Sequence, residues 1–165
     1  MITKEEIARQ YQEIQNEICF ALEQLDGEAV FEEEQWEREG GGGGRTRVIQ
    51  NGNILEKGGV NFSAVEGELP DAVKRSFQVE QGDFFATGIS IVIHPNHPMV
   101  PIIHMNIRYF EMPAAIAGQE PVRWFGGGID LTPHYIFDDD AHLFHRHLKS
   151  VCGSYNKGFN PRFKD

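Results

Sequence analysis

Between Gly88 and Phe110 the sequence reads GISIVIHPNHPMVPIIHMNIRYF, with its polar residues recurring at every second position. Side chains of a β-strand alternate between its two faces. His104, Asn106 and Arg108 therefore share one face, and Ile103, Met105, Ile107 and Tyr109 the other. Ser90 and His94 likewise lie opposite Ile89, Ile91 and Ile93. The proline-rich link HPNHPMVP lets the two strands return antiparallel, which gathers Ser90, His94, His104, Asn106 and Arg108 on one sheet face. An imidazole moves protons near neutral pH. A carboxamide both donates and accepts, and a guanidinium offers a planar fork to carboxylates. Antiparallel sheets commonly have one wet face, but this one carries no lysine or glutamate over the stretch. A ligand site and a solvated face are the two readings these residues allow.

Further along, Trp124-Phe125-Gly126-Gly127-Gly128-Ile129-Asp130-Leu131-Thr132-Pro133 sets two aromatics and three glycines before an isolated aspartate. Glycines let a flat ligand approach the backbone, and Asp130 can accept N–H bonds; the local alternative is a bulge or turn in which Asp130 bonds its own backbone. His142 and His145 are three apart and face the same way on a helix. A metal pair and a structural or surface role are both open to them, since two histidines without a third fixed partner do not define a site. The five glycines at 40–44 read as a flexible loop or as a place where backbone meets ligand. They are not a phosphate-binding Walker loop, because no Lys-Ser/Thr follows.

The elements that must hold these residues follow from periodicity. Residues 3–25 predict an amphipathic helix, with Thr3 and Glu6 as a capping box. Ile7, Tyr11, Ile14, Ile18, Leu22 and Leu25 form its apolar stripe, and Gly27 its stop. Glu32, Glu33 and Glu34 read as a solvated face. Two short strands flank the turn pair Asn51-Gly52, and 84–93, 102–110 and 122–125 are further strands. A second helix spans 138–152, with three aspartates at its positive end. Helix, antiparallel strands, helix is an α+β order.

Composition bounds the function. The 165 residues suffice for one domain, and 40% hydrophobic with 24% charged residues is ordinary for a globular chain. A net charge of −10 argues against a broad nucleic-acid surface. No apolar run reaches the ~18 residues of a membrane span, and the charged start predicts a cytoplasmic protein rather than a secreted one. Cys19 and Cys152 read as reduced, partly buried thiols, and no CxxC pair supports a zinc ribbon.

Taken in order, WEREGGGGGRTRV, GGVNFSAVEG, GISIVIHPNHPMVPIIHMNIRYF, WFGGGIDLTPHY and DDDAHLFHRHLKSVC resemble the oxygen-dependent (aerobic) coproporphyrinogen III oxidase family, across almost the whole chain. The resemblance implies oxidative decarboxylation of two propionates of coproporphyrinogen III to vinyl groups, giving protoporphyrinogen IX in haem biosynthesis, with O2 as co-substrate and no organic cofactor. It implies an α+β fold, a large flat antiparallel sheet flanked by helices on both faces, assembled as a homodimer. Residue by residue, it makes Ser90, Asn106, Ile107, Arg108 and Asp130 substrate-binding, and His104 and Asp130 catalytic. His94, His104 and His145 match histidines proposed as ligands of a divalent metal in some members. Members of that family continue for roughly as far again beyond the position of Asp165, within the size of one large domain. The chain is thus expected to be the N-terminal part of one domain, incomplete in its sheet. A non-catalytic tetrapyrrole- or metal-binding module and a purely structural domain are the competing classes.

Overall fold

The computed structural model describes residues 2–77, 82–114 and 120–163. In chain order these form α1 (Lys4–Asp26), β1 (Glu32–Glu37), β2 (Gly42–Gln50), β3 (Leu55–Glu68), α2 (Asp71–Phe77), β4 (Asp83–Pro95), β5 (Ile102–Met112), β6 (Val122–Thr132), α3 (Asp138–Tyr155) and α4 (Phe159–Phe163). The strands build one six-stranded sheet in sequence order, β1 to β6, antiparallel throughout. This is the large α+β sheet flanked by helices that the sequence predicts.

Helix α1 begins at the expected capping box: Thr3 Oγ1 accepts from the Glu6 amide, and the Glu6 carboxylate accepts from the Thr3 amide. It ends at Gly27, whose φ of +79° is the left-handed conformation that glycine adopts most easily. Ile7, Tyr11 and Cys19 are buried against Ile49, Val60, Phe62, Ile89, Ile91 and Ile93 of the sheet, with Ile14, Ile18 and Leu22 partly covered. Leu25 does not complete the stripe; it is 58% exposed, and the buried residue of the last turn is Asp26. Neighbouring helical residues point about 100° apart, so the demand on Asp26 turns Leu25 outward.

That demand is a backbone one. Asp26 accepts from the amides of Ala29, Ile54 and Leu55, each at 2.9 Å, and of Asn53 at 3.0 Å, which ties the helix end to the turn between β2 and β3. Asn51 sits at φ +57° in this turn, and a Cβ on Gly52 would fall 2.3 Å from the Asp26 carboxylate. A second tie is Gln15, fully buried, whose Nε2 donates to the carbonyls of Arg45 and Val60 while its Oε1 accepts from Arg45 Nε.

The glycine run is strand and turn rather than a loop. Gly42 to Gly44 belong to β2, and a Cβ on Gly42 would stand 2.2 Å from the Ala64 carbonyl, so neighbouring backbone explains that glycine. The glutamates at 32–34 open the edge strand β1, where Glu33 pairs with Arg47 at 2.8 Å. Strand β6 runs on through the three glycines to Thr132, so Asp130 is a strand residue and not part of a turn. Helix α3 packs on α4 and has no fully buried residue. Both cysteines are free thiols, Cys19 buried and Cys152 half-buried. Among the described residues no helix is long and apolar enough to cross a membrane.

The amides around Asp26, Ala29 foremost and then Leu55, hold its carboxyl well below the usual carboxylate range. A depressed folded-state pKa stabilises the fold above the unfolded pKa and is lost as pH falls through the folded one. Asp26→Asn is therefore expected to melt below the unmutated chain at neutral pH, with the gap narrowing once the pH drops below about 4. Melting curves followed by circular dichroism across that range check it.

Candidate functional site

Register across the sheet turns strand alternation into rows. Ser90 lies opposite Asn106, Gly88 opposite Arg108, and Val92 opposite His104. On the far side of β5, His104 lies opposite Asp130, Asn106 opposite Gly128 and Arg108 opposite Gly126. All of these residues occupy the face turned away from α1, where Ser90, Arg108, Gly128 and Asp130 are exposed and His104 and Asn106 half-buried. The predicted gathering of Ser90, His94, His104, Asn106 and Arg108 is present, with Asp130 added to it by β6. Ile107 is on the opposite face: its side chain packs against the core under α1, and only its main chain borders the polar face.

Two contacts organise the group. His104 Nδ1 and Asp130 Oδ1 are 2.9 Å apart, and Thr132 Oγ1 donates to the same oxygen at 3.3 Å. Arg108 Nη2 donates to Asn106 Oδ1 at 3.0 Å. The His104 imidazole above all, with help from Thr132, holds the Asp130 carboxyl below its ordinary value. An anionic carboxylate only accepts, so Nδ1 carries the proton of this bond and Nε2 takes no part in it.

A groove of about 440 Å³ runs over this face, lined by Ser90, Asn106 and Arg108 and, on the strands beyond them, by Thr46, Asn61, Ser63 and Trp36. Gly88 is the one glycine in its lining, and the glycines of β6 lie beyond it, past β5. A Cβ on Gly128 would meet nothing within 4 Å, so no neighbour in the described structure requires glycine there, and the space above it is free for a flat molecule. At the other end of β5 the rings of Phe84, Phe110 and Trp124 stack in series, at 6.2 Å and 5.3 Å between centroids, and wall the face beyond Arg108.

The metal set expected from the histidines is only partly assembled. The rings of His94 and His104 meet edge to face with centroids 6.5 Å apart. His145 is on α3, where it lines a separate hollow of about 290 Å³ with Asp130 and Phe144. Among the described residues no three His, Cys, Asp or Glu side chains converge closely enough to hold an ion. As arranged among the described residues, these donors do not fit a metal.

Thr46, Asn61, Ser63 and Trp36 escaped the sequence reading. For Asn61 and Ser63 the signal was there in GGVNFSAVEG, where they alternate with Val60, Phe62 and Ala64 in the same two-residue period as in β5.

Fold and face together define an α+β protein whose described polar side chains gather on an open sheet face. Comparison with known proteins agrees with the motif resemblance: residues 6–165 match coproporphyrinogen III oxidase, and the chain belongs to that family. It is 50% identical over 153 residues to the oxygen-dependent coproporphyrinogen-III oxidase of Synechococcus sp. (strain CC9902), covering 92% of this chain and 40% of that protein. The enzyme of the same name from Parasynechococcus marenigrum (strain WH8102) gives the same figures. That of Synechococcus sp. (strain CC9605) is 49% identical over the same shares. The chain thus spans about 40% of the length of these curated relatives.

Because the His104 contact is what depresses Asp130, His104→Ala is expected to raise the Asp130 pKa towards the ordinary aspartate value of about 3.9. Carbon-detected NMR titration of the labelled carboxylate reads this shift directly.

Proposed function

We propose that the protein carrying this sequence converts coproporphyrinogen III to protoporphyrinogen IX, using O2 as electron acceptor, in two successive oxidative decarboxylations. The observation that carries the proposal is the His104–Asp130 pair, 2.9 Å apart on the same open face as Ser90, Asn106 and Arg108. Membership of the family supports the reaction type.

The electron balance sets what the residues must do. Each propionic acid side chain plus O2 gives a vinyl group, CO2 and H2O2. One hydrogen leaves the β-carbon, the C–C bond to the carboxyl group breaks, and oxygen takes up two electrons and two protons. Arg108, with a planar fork held by Asn106, grips a propionate and fixes its orientation. Asp130 stays anionic at neutral pH and accepts from the pyrrole N–H groups, which raises electron density on the ring and eases its oxidation by O2. His104, oriented by Asp130 through Nδ1, delivers protons from Nε2 to the reduced oxygen. The open space over Gly128 lets the macrocycle lie close to the sheet.

Turnover is measured by incubation with coproporphyrinogen III in air, following protoporphyrin fluorescence against a no-protein control, in a protein of the relatives' length that contains this sequence. Asp130→Asn is expected to lose activity by about a hundredfold or more; near-normal turnover would remove Asp130 from the chemistry. Binding without any product would favour the non-catalytic tetrapyrrole-binding reading.

Gly128→Val tests that open space separately. Open space surrounds the added side chain within the structure, so melting temperature is expected to hold while affinity for coproporphyrin falls at least about tenfold by obstruction of the seat.

A further inference from the structure

The hollow under α3 lies where the proposed substrate has to extend. Asp130 is opposite His104, and Arg108 is opposite Gly126, four residues back along β6. That rise and one inter-strand step separate Asp130 from Arg108 by about 14 Å. A propionate carboxyl stands about 8 Å from the centre of a tetrapyrrole, and an arginine reaches about 6 Å. The ring centre therefore sits at Asp130 while Arg108 holds one propionate. The opposite edge passes Asp130 by about 6 Å, two residues of strand, and lies over Thr132 and Pro133.

At that end of the sheet Ile102 pairs with Thr132, and Pro101 and Pro133 just beyond them line the hollow of about 290 Å³. Ile136, Phe137, Ala141 and Phe144 line it too. Its ionisable residues are Asp130, Asp140 and His145, and among the described residues no lysine or arginine joins them. The hydroxyl of Thr132 is already donated to Asp130. One end of the seat thus offers a guanidinium to a carboxylate. The other offers hydrocarbon and two carboxylates, which repel a propionate and strip its hydration.

Coproporphyrinogen III has one edge suited to such a place. Each pyrrole bears a methyl and a propionate, and in the type III isomer one pyrrole is reversed, so a single bridge between pyrroles is flanked by two methyls. In the type I isomer every bridge is flanked by one methyl and one propionate. We infer that the hollow between β6 and α3 seats the dimethyl edge of the type III isomer and so selects it over type I. This rests on the function proposed above, keeps its ring centre at Asp130 and its propionate at Arg108, and adds an apolar subsite that determines specificity. Opposite the seated edge both isomers present one methyl and one propionate, so Arg108 serves them alike.

The test is fluorescence titration with coproporphyrin III and coproporphyrin I, probes of equal charge, in a protein of the relatives' length that contains this sequence. The unmutated protein is expected to bind type III at least about tenfold more tightly than type I. Ile136 is 81% exposed, so its exchange spares the core. Ile136→Lys offers the hollow a cation, and is expected to cut the preference to about threefold or less by tightening type I. Ala141→Leu fills the hollow without charge, and is expected to weaken type III about tenfold and type I by no more than about threefold. Should Ile136→Lys fail to fold, Ala141→Leu carries the test alone. Equal affinities for the two isomers in the unmutated protein, or a preference unchanged in either folded variant, would overturn this inference; with coproporphyrinogen III still turned over, the proposed function stands. No coproporphyrin binding by the unmutated protein would overturn both.

Discussion

Strand register governs everything on the open face. Side chains repeat every two residues, so sliding β5 by one position against β4 would send His104, Asn106 and Arg108 under α1 and bring Ile103, Met105 and Ile107 into water. Few slips could cost more, because those apolar residues belong to the core that the sheet shares with α1. The same burial that stabilises the sheet therefore positions the polar group. Asp130 depends on it twice, through the β5–β6 pairing that sets it opposite His104 and through the β4–β5 pairing that sets His104 beside the Ser90–Asn106 row.

Buried polar side chains hold this register from behind. Asp26 satisfies amides in the turn that leads into β3, and Gln15 bridges carbonyls of β2 and β3 while gripping Arg45. Thr87 joins β4 to β3 through the Ser63 carbonyl at 2.8 Å. Each of these groups is fully paired, which is the condition for a polar atom to sit in a core without loss. They connect α1 to the strands whose opposite face carries the groove.

How much of this could be read in the sequence varied with how local the cause was. The helix α1, its capping box and Gly27 depend on neighbours within a turn and were legible. The β5 pattern was legible because its two faces differ sharply in chemistry, and that sufficed to place His104, Asn106 and Arg108 together. Asp130 was harder: Gly126 to Gly128 carry the local signature of a turn, and only pairing with β5 makes that stretch a strand. The glutamates of β1 are the solvated face their charge suggests, whereas the glycines of β2 misled, since pairing with β1 and β3 decides their conformation. Leu25 and Asp26 exchanged expected roles because a distant turn, invisible to helical periodicity, needed a carboxylate. His145 belongs to α3, whose place relative to the sheet no spacing could specify.

The two borders of the sheet are unlike. Strand β1 carries Glu32, Glu33, Glu34 and Glu37, a run of negative charge along its exposed rim. Strand β6 carries glycine, tryptophan and phenylalanine over eleven residues, with Arg123 and Asp130 its two charged residues. Unpaired rim strands tend to recruit further backbone, and charge is one device that prevents it. Charge thus guards the β1 rim against added backbone and does so less at the β6 rim, which carries the Asp130 that meets His104.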